Sequence, residues 1–146
     1  MTTIERFEDL DVWKRARAHA NLVYDMTDGE TFKRDFVLRD QIRRAVVSVM
    51  SNIAEGFESR TQVMFIEYLG RAKASAGETR AQLYLALDRK YVEQAKFDQA
   101  INEVQICSRQ IASFIRYLES KPNAHRIREE GATYDVYPSP FNLLAR

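Results

Sequence analysis

The sequence predicts an all-α protein, folded as an antiparallel up-and-down four-helix bundle. Three observations predict it. The three prolines, Pro122, Pro138 and Pro140, lie near the end of the chain, so nothing before Lys121 breaks a helix in that way. There are only 5 glycines in 146 residues, which disfavours a turn-rich β fold. Apolar residues recur at three- and four-residue spacing in four long stretches separated by short polar breaks, and short loops between long helices make antiparallel neighbours.

The first helix is expected from about Leu10 to Thr27, with Asp9 as its N-cap and Asp11 in the first turn against the positive helix end. Trp13, Ala16, Ala20 and Val23 form its apolar face, which makes Trp13 a core aromatic rather than an exposed stacking platform. Asp28-Gly29 ends it.

The second helix is expected from about Asp35 to Phe57. Leu38, Ile42, Ala45, Val46, Val49, Met50, Ile53 and Phe57 sweep an arc wider than the roughly 100° one core face requires, so more than one neighbour should cover it. Gln41, Arg44, Ser48, Asn52 and Glu55 share the other side. Polar groups in such a stripe are either solvated or joined in a hydrogen-bonded network.

The third helix is the longest, from Thr61 or Gln62 to about Lys90, and should span about 40–45 Å. Phe65, Leu69, Ala72, Ala76, Leu83 and Leu87 keep a four-three rhythm, with Thr79 in register. Ala72, Ala74, Ser75, Ala76 and Gly77 make a small-residue stretch at mid-helix. Gly77 costs about 1 kcal/mol against Ala there, which marks a close approach by another helix, of this chain or of a second copy.

The fourth helix is expected from about Lys96 to Ser120. Phe97, Ile101, Val104, Ile111, Ile115 and Leu118 form its seam, with Ser108 in register and Cys107 and Phe114 flanking it. Residues 1–120 thus form the bundle domain. Residues 121–146 form a C-terminal extension whose Tyr134, Tyr137, Phe141, Leu143 and Leu144 are either partly ordered or docked on the bundle or a neighbour.

Composition bounds the function. Apolar residues are 45% and charged residues 29% of the chain, a soluble globular balance. With 22 Lys and Arg against 21 Asp and Glu, the net charge is +1, far from the strongly basic composition of a protein that coats nucleic acid. The single cysteine forms no intrachain disulfide, the N-terminus is acidic without an apolar signal core, and no apolar run approaches membrane-spanning length, so a cytoplasmic location is expected.

Motifs for chemistry are sparse. His19 and His125 sit in no metal-ligand spacing, and no helix supplies a His three residues after a Glu, so neither metal nor cofactor is expected. There is no nucleophile elbow and no glycine-rich phosphate loop. Cys107 has no base beside it in sequence and reads as a small buried hydrophobe. A Glu55–Arg44–Asn52 cluster is the one enzymatic alternative, weaker than the non-enzymatic readings.

Basic residues are the remaining lead. Lys33, Arg34, Arg39, Arg43 and Arg44 outnumber Asp35 and Asp40, and Arg60, Arg71, Lys73 and Arg80 form a second group. A salt-bridged, solvated surface accounts for them more simply than contact with RNA phosphates, but repetition around an oligomer would turn a modest patch into an extended basic surface.

The run from Asp40 to Val49, followed by Ser51-Asn52-Ile53-Ala54-Glu55-Gly56-Phe57, resembles the signature of the bacterial four-helix-bundle proteins named for intervening sequences in 23S ribosomal RNA genes. Phe7-Glu8-Asp9-Leu10-Asp11-Val12-Trp13 is similar to that family's opening, Phe65-Ile66-Glu67-Tyr68-Leu69 to the start of its third helix, and Ala72-Lys73-Ala74-Ser75-Ala76-Gly77-Glu78 to its Ala-Arg-Gly-Ser-x-x-Glu motif. The resemblance covers residues 4 to 118. Ala74 stands where the family usually has Gly, and Phe32-Lys33 replaces a common Phe-Pro.

The resemblance implies a bundle that assembles as a ring-like homopentamer and has no established enzymatic activity. Two expectations of function follow, the first from the basic clustering together with the family name, the second from the near-neutral charge, with the polar stripe and the aromatic tail as contact surfaces. One is an oligomeric bundle that binds structured RNA through Arg43, Arg44, Arg60, Arg71 and Lys73; the other is a protein–protein scaffold or accessory subunit. Gln41, Arg44, Ser48, Asn52, Glu55 and Glu78 are expected to form a structural polar network or an interface.

Overall fold

The computed structural model describes residues 3–121. These form four long helices: α1 (Asp11–Thr27), α2 (Phe36–Phe57), α3 (Gln62–Asp88) and α4 (Gln94–Ser120). Single 3-10 turns at Phe7–Asp9 and Phe32–Arg34 precede α1 and α2, and there is no strand among the described residues. The helices surround one core; α1 and α3 lie diagonally opposite, each packed on both α2 and α4.

Paired contacts fix the directions. Arg15 meets Glu103 and His19 meets Ala100 between α1 and α4, while Phe65 meets Phe114 and Tyr84 meets Phe97 between α3 and α4. Numbers rise on one helix as they fall on the other, so these pairs are antiparallel.

The expected apolar positions are the core. Trp13, Ala16, Ala20 and Val23 of α1 are buried, as are Leu38, Ile42, Ala45, Val46, Val49 and Ile53 of α2. Met50 and Phe57 are half-buried at the rim. Contact with both α1 and α3 accounts for the wide apolar arc of α2. Thr79 is fully buried in the α3 seam and gives its hydroxyl hydrogen to the Ser75 carbonyl, 2.9 Å away. Spacing alone does not single out Leu10, Phe32, Ala86 and Ala100, all fully buried at helix ends or beside the seams.

Caps decide the ends. Asp9 does not cap α1; it lies in the preceding 3-10 turn, and Leu10 occupies the cap with no side-chain bond to the helix. Burial of Leu10, together with the edge-to-face packing of Phe7 on Trp13 at 5.0 Å, sets the entry of the chain instead. Asp35 caps α2 and Thr61 caps α3, each accepting a backbone N–H three residues on. Helix α3 stops at Asp88 rather than Lys90 because Lys90 takes a positive φ of 61°, and Tyr91 N–H reaches back 2.9 Å to the Ala86 carbonyl. The tail aromatics expected to dock or to stay partly ordered lie outside the described residues.

Candidate functional site

The polar stripe of α2 meets α3 at one point. The hydroxyls of Ser48 and Ser75 are 2.9 Å apart, and Asn52 Nδ2 donates to the carbonyl and hydroxyl oxygens of Ser48 at 2.8 and 2.9 Å. This half-buried cluster is what the chain itself makes of the expected six-residue network. Gln41, Arg44 and Glu55 are exposed, and Glu78 accepts from its own-helix neighbour Gln82 at 3.1 Å. Arg44 and Glu55 sit three turns apart, about 16 Å along α2, so they build no joint catalytic cluster with Asn52.

The geometry divides the proposed basic residues. Arg43 is spent on the fold: its guanidinium donates to Thr27 Oγ1 at 2.8 Å and Asp28 Oδ1 at 2.9 Å, and stacks over Tyr24 at 4.7 Å. Arg71 stacks on Tyr68 of its own helix at 5.1 Å, whereas Arg44 lines a depression with Tyr24, Asp40, Arg43 and Val47, toward α1. Glu55, Glu67 and Glu78 are exposed on the same two helices, so the charge there is mixed. Arg60 lies in the α2–α3 loop, at the far end of α2 from Arg43. Lys73 is two residues from Arg71, a rotation of about 200°, and so points to the α4 side of α3. The five residues therefore form no single basic face on one chain.

The outer face of α3 is the unexpected surface. Val63, Gly70, Ala74, Gly77, Ala81 and Leu85 are all exposed, Val63 to 68% and Leu85 to 48%, and the exposed Glu67 falls in the same row, five turns before Leu85. A Cβ at Gly70 or Gly77 would meet nothing within 4 Å among the described residues, so their packing demands neither glycine. Gly56 is the opposite case. A Cβ there would lie 2.8 Å from both Phe65 Cδ1 and Tyr68 Cβ, so α2 and α3 approach too closely at Gly56 for a side chain.

The titratable groups inside the bundle are inert. Burial lowers the His19 pKa to about 4 and pushes the Cys107 thiol up to about 12. Among the described residues, no group of three or more His, Cys, Asp or Glu is placed to hold a metal ion, and no helix is long and apolar enough to cross a membrane. A shallow depression of about 260 Å³ is lined by Leu22, Asp25, Met26, Tyr91, Val92, Glu93 and Lys96.

Comparison with known proteins adds two findings. The family model for the 23S rRNA-intervening sequence protein matches residues 8–113. A crystal structure of a protein of unknown function from the S23 ribosomal protein family of Bacteroides thetaiotaomicron VPI-5482 aligns with a TM-score of 0.66 at 23% identity, over 72% of this chain and 98% of that one. At that identity the likeness shows the fold. No curated protein matches the chain.

Proposed function

This chain belongs to the 23S rRNA-intervening sequence protein family, and we propose that it works without catalysis, as a self-associating helical scaffold whose copies meet through the outer face of α3. One observation carries this reading: α3 has small or apolar residues on its solvent side as well as its core side. Gly70 and Gly77 cost about 1 kcal/mol each against Ala in a helix and no contact among the described residues requires them. Glycine and alanine on a helix surface let a second backbone come close, and Val63 and Leu85 add apolar area at the two ends of the strip. The exposed Glu67, Arg71 and Glu78 of α3 put both signs of charge on or beside this face, which suits a protein partner that can pair both. Five copies in a ring is the number the family resemblance implies.

Binding of structured RNA through Arg43, Arg44, Arg60, Arg71 and Lys73 is the weaker reading, because those side chains diverge and Arg43 is already paired.

Light scattering on a sizing column tests the scaffold. The wild-type chain is expected to elute as a multiple of 17.0 kDa. Ala74→Glu combined with Ala81→Glu is expected to elute as a monomer with unchanged helicity by circular dichroism. A monomeric wild type, or a double variant that keeps the assembled mass, overturns the reading.

A further inference from the structure

A different surface carries cations with no carboxylate to answer them. On the α4 side of α3, Lys73 and Arg80 lie seven residues apart, on one stripe. Tyr84, one turn beyond Arg80, packs edge-on against Phe97 of α4 at 5.1 Å, which places this stripe along the α3/α4 seam. Across the seam stand Gln105 and Arg109, one turn apart on α4. Arg109 Nη1 and Gln105 Oε1 are both buried and neither has a hydrogen-bond partner among the described residues. The ion pairs of the described residues, such as Arg15–Glu103 and Arg43–Asp28, include none to Lys73, Arg80 or Arg109.

Burial, and then the charge of Arg80, lower the pKa of Arg109: the two guanidiniums face the same space and repel. Two forked donors held close on one seam, one of them with a buried nitrogen that has no partner among the described residues, are costly until an anion answers them. A tetrahedral oxyanion suits it, because each guanidinium can donate two parallel N–H bonds to its oxygens. Gln105, one turn from Arg109 and with a buried amide oxygen, can rotate that amide to present its NH₂ as a further donor.

We propose that Arg80 and Arg109, with Lys73 beside them, form a phosphate-binding site on the α3/α4 seam. The phosphate comes either from a nucleic-acid backbone or from a small phosphorylated ligand. The site does not depend on the scaffold reading: it lies on the other flank of α3 from Arg71 and uses no residue of the small-residue strip.

The test has two arms. Fluorescence anisotropy of a labelled twelve-nucleotide oligouridylate reports backbone binding, and isothermal titration calorimetry with inorganic phosphate reports the free anion. The proteins are the wild type, Arg80→Gln with Arg109→Gln, and Lys14→Gln as a control on an exposed cation of α1. If the backbone is the source, the wild type binds the RNA with a log–log salt slope of about −0.7, as one phosphate held on a single strand requires. The double variant then loses affinity by about tenfold or more and its slope becomes shallower, while Lys14→Gln behaves as wild type. If a small ligand is the source, inorganic phosphate binds the wild type and not the double variant, and RNA binds neither. Absence of both kinds of binding, or binding that the double variant retains with an unchanged salt slope, overturns the proposal. Circular dichroism and the elution volume of the double variant establish that its fold is intact.

Discussion

His19 on α1 donates its Nε2–H to the backbone carbonyl of Ala100 on α4, 3.1 Å away, from a position only 5% exposed. The bond ties together the two helices that begin and end the bundle. It also fixes a neutral ring, because burial holds the His19 pKa near 4 against 6.5 when the chain is open.

Acid should therefore loosen the bundle through His19. The unfolded chain takes up a proton as pH falls through 6.5 and the folded one does not until about 4. The group's contribution is fully present above the unfolded pKa, falls across that window and levels off below the folded pKa, a loss of about 3 kcal/mol. Urea unfolding between pH 7.5 and pH 4 should show this slope, and His19→Gln, lower in stability at neutral pH, should flatten it. A parallel pH profile for the variant would show that other groups govern the acid limb.

Two glycines of the same type should respond in opposite directions. Gly56→Ala drives a Cβ against Phe65 and the Cβ of Tyr68, an atom no rotamer change can move away. We expect a loss of about 1–3 kcal/mol in chemical denaturation. Gly77→Ala meets nothing and removes a helix-propensity cost, so the dissociated chain should gain up to about 1 kcal/mol. Equal effects at the two sites would mean that the α2/α3 approach is looser than the contact distances state.

Asp35 holds two elements with one carboxylate. Oδ1 accepts the Leu38 N–H at 3.0 Å and caps α2, and Oδ2 accepts the Tyr91 hydroxyl at 3.0 Å, at the turn between α3 and α4. The Leu38 bond first, then that of Tyr91, lower its pKa. Asp35→Ala should cost about 2 kcal/mol, the cap and one further bond, and Tyr91→Phe about 1 kcal/mol. In Asp35→Ala the second change should cost almost nothing more. Additive losses would show that the hydroxyl and the carboxylate act separately.

Cys107 should be chemically silent while the bundle is closed. It is 1% exposed, and its thiol is pushed up to about 12 by burial, so almost no thiolate exists at neutral pH. Ellman's reagent should label it only as fast as the chain opens, and at once in denaturant. Rapid labelling of the native protein would reveal an opening of α4 at a lower cost than global unfolding.

Most of the fold is legible in the sequence because helix periodicity and core burial are the same fact seen twice. Trp13, Ile42, Leu69 and Ile111 repeat at the spacing that puts them on one side of a helix, and that side has nowhere to go but inward. Gly56 is different: its motif is recognisable in the chain, but the reason for it, a contact with Phe65 and Tyr68 of α3, exists only between helices. Helix ends set by Leu10 and by the positive φ of Lys90 are also invisible locally, since neither residue type marks an end. The surface readings diverge most. Sequence proximity groups Arg71 with Lys73, yet helical rotation sends them to opposite seams, and the charge of Arg80 is felt by Arg109 on a different helix altogether. The sequence by itself determined the helices, their apolar faces and the family. The tertiary structure alone decided which charges are neutralised, which stand unanswered and which glycines face solvent, because charge and close approach act through space, across helices whose relative placement no single helix encodes.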